Sequence, residues 1–586
     1  MNLQKEIESI LKKSLGKMGM DGNVSVSFSN RPELCDYQSN SCFAMSKQLH
    51  KAPLELASEI VANIPANRKY DFSAEKPGFI NVKVKDSYLA KKGDELLLDE
   101  MVGVEKHKKS KRIIMDYGGA NVAKELHVGH LRSPIIGESL NRLHTLFGDN
   151  VTSDAHLGDW GLQMGLTIAQ LMEDGVLDYY FKKKGKEPVI TLDMLNEAYP
   201  KANKRKSVEP EFKEKAAEFT LRIQRKESPY YDAYKKIREV SVAQIKKNYE
   251  ELNAHFDLFL GESDAEPYIS KAIDIFKKKG LAHESEGALI VDVAREGENI
   301  LSDKLDKDGK PYLLNPMPPV ILKKSNGADV YATTDIATVL MRNKEKGVDE
   351  IIYVTDNRQG SHFERFFRAC KLAGISPEKQ KLTHIVFGTI NGKDGKPFKT
   401  RSGETIKLAD IINILIEKAS EKLKSNGLKP SRELALQIGV GAMKFGDLSN
   451  TVAKDYIFDI DKFLSFEGKT GPYLQYTVAR INSILAKTDC EGGAIKIYSE
   501  DERKIILAIM KLISAYQLCY DDNSLNMLCS ATYELASAFS TFYNNHRILS
   551  EKNLNKKRAY ISICKLVRRA LVQALGVLAI DVPEKM

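Results

Sequence analysis

The chain has few cysteines, a single tryptophan and no long uninterrupted apolar run. Its seven cysteines are odd in number and scattered, without a Cys-x-x-Cys pair or a Cys/His knuckle. This spacing argues against a structural zinc site and for a reducing compartment. A membrane-spanning helix needs about 20 apolar residues in succession, and the first residues lack the apolar stretch of a signal peptide. We therefore expect a cytoplasmic protein with no membrane association.

Proline and glycine are also too scarce to indicate extensive disorder, at 19 and 38 of 586 residues. The balance of 42% hydrophobic and 28% charged residues is ordinary for a globular protein. A chain of this length exceeds one hydrophobic core, so we expect about two to four domains. The formal charge of +9 is compatible with a polyanionic partner but does not require one.

Hydrophobic periodicity divides the chain into three parts. Residues 1–110 mix helical patterns with short strand-like runs such as GFINVKVK, which predicts an α+β domain. Residues 111–428 open with a strand, a glycine loop and a predicted helix, IIMDYGG and NVAKELHVGHLRSPIIGESLNRL, as in a nucleotide-binding α/β unit. Later runs in ALIVDVA, PVILKK, DEIIYVTD and HIVFG predict the rest of a parallel, Rossmann-like sheet. Residues 429–586 show long amphipathic helices, which predicts an all-α domain.

A Lys- and Glu-rich stretch with helical spacing interrupts the α/β part. It predicts a helical insertion, at about residues 174–301, whose charges face solvent. The fold class we predict is therefore multidomain α/β, with a helical insertion in the parallel-sheet domain.

The string His127-Val128-Gly129-His130 stands at the predicted start of a helix. Exposed N–H groups and the positive end of the helix dipole make such a terminus a phosphate site, and Gly129 lets a ligand approach the backbone. Two imidazoles three residues apart can donate hydrogen bonds to one ligand. Two surface histidines or a metal-binding pair are the alternatives that these four residues leave open.

The longer string ANVAKELHVGHLRS, preceded by DYGG, resembles the HIGH signature of class I aminoacyl-tRNA synthetases in its arginyl-tRNA synthetase form. The resemblance implies that His127, His130 and Lys124 are catalytic, Lys124 supplying a charge that the second motif lacks. It implies an ATP site formed by Ala120, Asn121, Val122, Ala123, Lys124, Glu125, Leu126, His127, Val128, Gly129 and His130.

The second motif, GKPFKTRSGETIKLADII, stands where class I synthetases carry the KMSKS loop. Lysine and arginine on such a loop can neutralise phosphate charge during phosphoryl transfer, so Lys399 and Arg401 are further catalytic candidates. The motif departs from K-M-S-K-S, so the alignment of its lysines stays open, and a solvated basic turn is the alternative. The ATP-binding candidates here are Lys396, Lys399, Thr400, Arg401, Ser402 and Gly403.

A guanidinium substrate requires carboxylates and neutral acceptors in a planar arrangement. The resemblance implies that the arginine-binding residues are Asp116, Asn121, Tyr331, Asp335 and Gln359. Tyr331 and Asp335 would share one helix face if TDIATVLMR begins a helix. A helix-dipole charge for Asp335, a packed aromatic for Tyr331 and a helix cap for Asn121 remain alternatives. His156 and Asp159 are weaker candidates, and we expect Trp160 to pack.

Both ends of the chain also resemble the arginyl family. DYQSNSCFAMSKQLHKAPLELASEI is similar to its N-terminal additional domain, and GAMKFGDLSNTVAKDYIF with FYNNHRIL is similar to its anticodon-binding domain. RNA recognition favours stacking aromatics beside basic side chains, although interhelical packing is the alternative for such residues. The tRNA-binding candidates are Tyr473, Tyr476, Arg480, His546 and Arg547, with Tyr543, Arg568 and Arg569 beside them.

The resemblance implies ligation of L-arginine to tRNA(Arg) through an arginyl-adenylate, with ATP and Mg²⁺ as the substrate complex and a monomeric enzyme. No bound structural metal is expected. Another class I synthetase, a non-catalytic tRNA-binding paralogue and a small nucleotidyltransferase are the rivals. Retention of both signature histidines argues against the paralogue, and two flanking RNA-binding domains argue against the nucleotidyltransferase.

Overall fold

The structure, a computed structural model, describes residues 3–305, 311–325, 330–345, 347–396 and 406–586. The α-helices in this part are α1 (Leu3–Lys17), α2 (Ser41–Leu49), α3 (Pro53–Ala62), α4 (Asp86–Leu98), α5 (Arg132–Leu146), α6 (Leu162–Glu173), α7 (Asp178–Lys182), α8 (Leu192–Val208), α9 (Pro210–Gln224), α10 (Tyr230–Glu251), α11 (Glu262–Ala265), α12 (Ile269–Lys278), α13 (Tyr331–Arg342), α14 (Gly360–Leu372), α15 (Leu408–Ser425), α16 (Arg432–Leu448), α17 (Ile460–Phe463), α18 (Gly471–Ala486), α19 (Glu500–Asp522), α20 (Asn526–Asn545) and α21 (Leu554–Val577). Turns of 3₁₀ helix lie at Val128–His130, Glu266–Tyr268 and Asn357–Gln359.

The strands are β1 (Ser27–Phe28), β2 (Tyr37–Ser39), β3 (Tyr70–Glu75), β4 (Phe79–Val84), β5 (Arg112–Asp116), β6 (Asn150–Asp154), β7 (Ala282–Ser285), β8 (Ala288–Val291), β9 (Ile300–Leu305), β10 (Pro311–Leu314), β11 (Val320–Lys323), β12 (Glu350–Asp356), β13 (Lys381–Phe387), β14 (Ile390–Asn391) and β15 (Tyr456–Ile457). The chain forms two compact units, which we call the helical unit (1–106, 422–449 and 461–586) and the sheet unit (107–421 and 450–460).

A four-stranded parallel sheet is the centre of the sheet unit, in the order β13-β12-β5-β6. β12 is buried over most of its length, as expected for a strand covered on both faces. Because parallel strands end at one edge of a sheet, the carboxyl ends of β5, β6 and β12 lie together. Asp116, Asp154 and Asp356 are the last residues of these strands, and they mark that edge as the candidate site.

Two of the predicted parallel strands are antiparallel, and for them the prediction is wrong. β8 and β11 pair in a separate three-stranded sheet, β11-β8-β7. Glu286 and Gly287 both have positive φ (50° and 77°), which makes the tight hairpin turn that joins β7 to β8. A hairpin forces antiparallel pairing, whereas β12 and β13 are separated by α14 and can run parallel.

The predicted insertion, residues 174–301, contains the helices α7 to α12, but its last part contains the strands β7 and β8 and the start of β9, so the helical prediction holds only up to Lys278. α8 and α9 both contact α6, and α10 contacts α8 and α9. Phe212, Ala216 and Phe219 are buried on one side of α9, at spacings of three and four residues. Arg238 of α10 departs from the prediction that the charged residues face solvent, because it binds the buried carboxylate of Asp159.

The helical unit contains an N-terminal antiparallel sheet, β1-β2-β4-β3, together with the long helices α18 to α21. Arg503 of α19 is buried and ion-pairs with Asp36 and Asp86 of the N-terminal part. The short strand β15 lies in the sheet unit, where it pairs in parallel with β14. The predicted multidomain α/β fold class is confirmed. Among the described residues, no helix is long and apolar enough to cross a membrane.

Candidate active site

The loop between β5 and the first 3₁₀ turn, residues 117–127, forms one wall of the site, and we call it the signature loop. Its centre pairs with the segment after β6: Val122 N–H donates to Gly158 O (3.0 Å) and Gly158 N–H donates to Ala120 O (2.9 Å). A Cβ at Gly158 would lie 2.3 Å from Asn121 Oδ1, so any side chain here would have to displace the Asn121 amide. The predicted start of the helix at residue 121 is therefore wrong, and α5 begins at Arg132. The N–H groups of the loop donate to partners outside the loop instead of forming helical hydrogen bonds.

The insertion holds the same loop from the other side. Ala123 has φ of 63°, a left-handed conformation that costs free energy for a residue with a Cβ. Its N–H donates to Ser241 Oγ of α10 at 3.1 Å. Tyr249, also on α10, donates its hydroxyl proton to Gly118 O at 2.5 Å. Two contacts from one helix thus fix the backbone of the loop before and at its strained residue.

His127 and His130 lie together at the 3₁₀ turn, with ring centroids 4.0 Å apart. Gly129 N–H donates to His127 Nδ1 (3.1 Å), and His127 N–H donates to His130 Nδ1 (3.1 Å). An imidazole whose Nδ1 accepts a hydrogen bond carries its proton on Nε2 when it is neutral. Both rings therefore present an Nε2–H donor away from the backbone. A Cβ at Gly129 would lie 2.8 Å from His127 Cε1, so the absence of a side chain here leaves room for the His127 ring.

Both signature histidines are neutral at physiological pH. Burial lowers the pKa of His130 to about 3, and the neighbouring His127 contributes to the shift. Burial also lowers the pKa of His127, with a further effect from the Lys124 ammonium. Neutral donors can bind phosphate oxygens but bring no positive charge, so the charge at this end must come from lysine or arginine.

Lys124 and Glu125 contact residues far away in the sequence. Lys124 Nζ lies 4.6 Å from the ring centroid of Tyr199 on α8. Glu125 pairs with Lys407 Nζ at 2.7 Å. His127 forms an isolated antiparallel bridge with Lys407, near the end of the second motif. The structure therefore brings the end of the second motif, from Ile406 onwards, next to the signature loop.

The basic motif itself is only partly described. Lys396 is exposed, and its N–H donates to Asp394 Oδ1 at 3.1 Å. The other candidates lie outside the described residues: Lys399, Thr400, Arg401, Ser402 and Gly403.

Asp116 belongs to a buried ionic cluster at the end of the sheet. Arg342 of α13 binds Asp116 Oδ2 (2.6 Å) and Asp154 Oδ2 (2.7 Å), and the Asp154 carboxylate lies 3.5 Å from His156 Nδ1. Burial raises the pKa of Asp116. Burial also acts to raise the pKa of Asp154, but the effects of His156 and Arg342 are larger together, and the pKa of Asp154 is lowered. Ligand atoms of the two aspartates and His156 lie within 4.8 Å of one another, and the Arg342 guanidinium supplies the cation there. Asp116 is thus occupied by an internal partner.

Tyr331 and Asp335 lie in the first turns of α13, which begins at Tyr331, three residues before the predicted start at Thr334. Tyr331 is 70% exposed, and Asp335 is half-buried with its Oδ2 2.5 Å from His362 Nε2. Gln359 is exposed on the 3₁₀ turn just before α14, the helix that carries His362. A phenol, a carboxylate and an amide therefore lie near the carboxyl edge of the sheet, as a guanidinium site requires.

Glu262 is a candidate that the sequence analysis missed. It is the first residue of α11, and its carboxylate accepts a hydrogen bond from Trp160 N–H at 3.3 Å. Burial, with a contribution from Asp159, raises its pKa to about 7, and Asp335 also contributes. The Glu262 charge in turn helps to raise the pKa of Tyr331, after burial. A half-buried acid this close to Tyr331 and Asp335 is a second carboxyl group, beside that of Asp335, for a cationic side chain. In the sequence it is one of three acidic residues in FLGESDAEP, a run that matches no site motif.

Asp159 and Trp160 have structural roles. Asp159 is buried and binds Arg238 Nε (2.7 Å), Ser263 N–H (2.9 Å) and the Tyr234 hydroxyl (3.1 Å). Trp160 packs edge-on against the ring of Tyr234, 5.5 Å between centroids, as predicted.

In the helical unit, Arg480 of α18 lies between two tyrosine rings. Its Cζ is 4.7 Å from the centroid of Tyr476 and 4.9 Å from that of Tyr543. Both rings are partly exposed, at 36% and 38%. Arg480 and Tyr543 line a surface cavity of about 440 Å³ together with Lys487 and Arg547. Planar cationic and aromatic surfaces beside a basic cavity can stack unpaired bases.

The remaining RNA candidates have internal partners. His546 binds Asp501 (3.0 Å) and the Tyr560 hydroxyl (3.1 Å). Tyr473 donates to Ser540 Oγ (2.9 Å). Arg568 donates to Asn482 Oδ1, and Arg569 donates to the carbonyls of Leu97 and Asp99.

Three family models match this chain. "tRNA synthetases class I (R), catalytic domain" matches residues 94–460. "Arginyl tRNA synthetase N terminal domain" matches residues 1–84, and "DALR anticodon binding domain" matches residues 474–586. The chain is 40% identical to the arginine–tRNA ligase of Agathobacter rectalis over 585 residues, 96% of each chain. It is also 40% identical to the arginine–tRNA ligase of Alkaliphilus oremlandii over the whole of both chains.

Solved structures agree in fold. The arginyl-tRNA synthetase of Plasmodium falciparum superposes with a TM-score of 0.81 at 24% identity, covering 100% of this chain and 99% of that one. The arginyl-tRNA synthetase of Thermus thermophilus superposes with a TM-score of 0.80 at 22% identity over 100% of both.

Proposed function

This chain belongs to the arginyl-tRNA synthetase family and is an arginine–tRNA ligase of class I, and we propose that its reaction takes place at the signature loop. The observation that carries this placement is the pair of Nε2–H donors on His127 and His130, held by hydrogen bonds to their Nδ1 atoms. The loop lies at the carboxyl edge of a parallel sheet, where α/β folds bind their ligands.

In the first step, the arginine carboxylate attacks the α-phosphorus of ATP, and pyrophosphate leaves as the arginyl-adenylate forms. ATP enters with Mg²⁺ as its substrate complex. His127 and His130 donate hydrogen bonds to phosphate oxygens, and Lys124 adds positive charge. Lys396, Lys399 and Arg401 of the second motif, with the other residues of that loop, add more charge at the leaving group. No side-chain nucleophile is needed, because positioning and electrostatic stabilisation suffice for such a transfer.

Arginine is selected by acidic and neutral acceptors around its guanidinium group. The acceptors are Asp335, Tyr331 and the half-buried Glu262. His362 orients the Asp335 carboxylate. Gln359 and Asn121 add neutral amide groups to the same pocket. Asp116 acts through Arg342: their buried ion pair holds the end of β5, from which the signature loop begins.

In the second step, the 2′-hydroxyl of the terminal adenosine of tRNA attacks the adenylate carbonyl and AMP leaves. Residues 1–110 and 429–586 contact tRNA(Arg), and residues 111–428 are the catalytic domain. Tyr476, Arg480 and Tyr543 stack anticodon-loop bases, and Arg547 contacts phosphate. Tyr473 and His546 shape this surface from within. We place the enzyme in the cytoplasm as a monomer.

A charging assay with labelled amino acids tests this reaction. Purified enzyme, ATP, Mg²⁺ and tRNA(Arg) transcript should attach arginine and leave lysine and citrulline unattached. A transcript ending in 2′-deoxyadenosine should accept no arginine, whereas one ending in 3′-deoxyadenosine should. Charging of the 2′-deoxy transcript would overturn the attacking group, and charging of lysine at a comparable rate would overturn the arginine pocket.

A further inference from the structure

α8 of the insertion supplies an aromatic ring to the signature loop. Tyr199 lies on this helix with its ring centroid 4.6 Å from Lys124 Nζ. Both side chains are half-buried, so water screens the attraction of the ammonium for the ring only in part. The two residues are 75 positions apart in sequence, so tertiary packing alone creates this contact.

The orientation of Tyr199 is set by how α8 packs. Leu195, Ala198 and Ala202 are buried on α8, which contacts α6 and α10. These residues lie on either side of Tyr199, so they fix the direction in which its ring points. A ring anchored in this way can hold a flexible lysine, whereas a mobile one cannot.

Lys124 follows the strained residue Ala123. Ser241 and Tyr249 of α10 fix the backbone there, but the four-carbon lysine side chain still has many rotamers. The Tyr199 ring is the contact that restricts the ammonium group. Tyr199 also acts on Tyr331: it raises the pKa of that phenol, after burial and Glu262. Tyr199 is thus near both the nucleotide end and the arginine end of the site.

We propose that Tyr199 is a positioning residue for adenylate formation: its ring holds the Lys124 ammonium where it meets the ATP phosphates. The inference rests on the proposed role of Lys124. Loss of the ring would leave Lys124 charged but mobile. The kcat of activation should then fall and the KM for ATP should rise, while the KM for tRNA stays unchanged.

ATP–pyrophosphate exchange with arginine and tRNA tests this in the full-length enzyme. Tyr199→Leu should lower kcat/KM for ATP roughly fivefold, the factor expected for one cation–π contact at a partly buried site. Tyr199→Phe keeps the ring and should stay within about twofold of wild type. The matched control is Tyr231→Leu, which removes a similar contact with Lys235 (5.3 Å) on α10 and should leave exchange unchanged.

A double mutant separates positioning from general damage. If Tyr199 acts through Lys124, Tyr199→Leu should add nothing in a Lys124→Gln background. If the melting temperature of Tyr199→Leu is lower than that of Tyr231→Leu, the assay uses Tyr199→Met instead, a variant of similar side-chain volume. An equal loss in Tyr199→Phe, an undiminished loss in the Lys124→Gln background, or faster exchange in Tyr199→Leu would each overturn the inference. If Lys124→Gln exchanges at the wild-type rate, the proposed role of Lys124 is wrong and the inference fails with it. If Lys124→Gln is slow but Tyr199→Leu exchanges like wild type, only the inference fails.

Discussion

The Nδ1 atom of His130 accepts a hydrogen bond from the backbone N–H of His127, at 3.1 Å. This bond fixes the neutral ring in the tautomer that carries its proton on Nε2, and burial keeps the ring neutral. A donor fixed in this way before substrate arrives costs no reorganisation in the transition state, which is how an electrostatic site gains rate.

His130 should therefore tolerate glutamine better than asparagine. A glutamine amide can place an N–H near the position of Nε2, whereas asparagine reaches only as far as Nδ1. We expect kcat for ATP–pyrophosphate exchange to fall roughly 100-fold or more in His130→Asn, and clearly less in His130→Gln. His283→Ala, an exposed histidine on β7, is the control and should exchange like wild type. The reverse order of the two variants would show that the Nδ1 contact, and not the Nε2 donor, matters.

Asp335→Asn should raise the KM for arginine roughly 30-fold or more, because a desolvated charge pair with the guanidinium is lost. The KM for ATP should change little. Steady-state exchange at varied arginine measures both constants, with the exposed Asp274→Asn on α12 as the matched control. An unchanged KM for arginine would remove Asp335 from the pocket.

Glu262 should make arginine binding depend on pH. Its pKa of about 7 without substrate means that it is mostly protonated at pH 6 and ionised at pH 8. A guanidinium binds the ionised form better, so the KM for arginine should be roughly threefold to tenfold lower at pH 8 than at pH 6. Glu262→Gln should flatten this dependence, whereas Glu284→Gln on β7 should keep it. A pH dependence that survives in Glu262→Gln would assign it to another group.

The same shift has a consequence for stability. The folded pKa of Glu262 lies above the ordinary value of 4.5, so the native state holds a proton that the unfolded chain has released between those pH values. The contribution of this group is therefore fully present below pH 4.5 and is lost as the pH rises through 7.

Local signals in the sequence predicted the helix that carries two of the candidate residues. Tyr331 and Asp335 are four residues apart on this helix, although it begins three residues before the predicted start. The signature histidines likewise depend on neighbouring residues. The partners that were missed come from far along the chain: Arg342 binds Asp154 across 188 positions, and no periodic pattern marks such a pair.

The fold shows the same division between local and distant information. The long helices of the terminal domain follow directly from their amphipathic patterns. β6, with the sequence NVTSD, has a single strongly apolar residue and was missed, since its place in the sheet comes from pairing with β5. β8 and β11 have apolar sequences that suit either kind of sheet, and the hairpin turn at Gly287 decides which sheet they join.

Arg342→Leu should destabilise the enzyme by roughly 3 to 5 kcal/mol, because it leaves two buried carboxylates without their cation. Chemical denaturation at pH 7.5 measures the loss. Arg358→Leu is the control: its pair with Asp356 is exposed, and the change should stay within about 0.5 kcal/mol. Equal effects of the two substitutions would contradict the structural role assigned to the cluster.

Arg480 should matter for tRNA through its planar group. Arg480→Ala should weaken tRNA(Arg) binding roughly fivefold to tenfold, and Arg480→Lys should restore only part of it, since a lysine keeps the charge but not the stacking surface. Filter binding at two salt concentrations measures the affinity and its salt dependence. If Arg480→Lys binds tRNA as tightly as wild type, Arg480 contributes only its charge and not a stacking surface.

We propose that the enzyme activates arginine at the signature histidines. ATP–pyrophosphate exchange, run with each of several amino acids in the presence of tRNA, distinguishes this proposal from its alternatives. Exchange should require arginine, and His130→Ala should lower its kcat roughly 100-fold to 1,000-fold while the protein still binds tRNA. Exchange supported equally by another amino acid, or undiminished in His130→Ala, would contradict it.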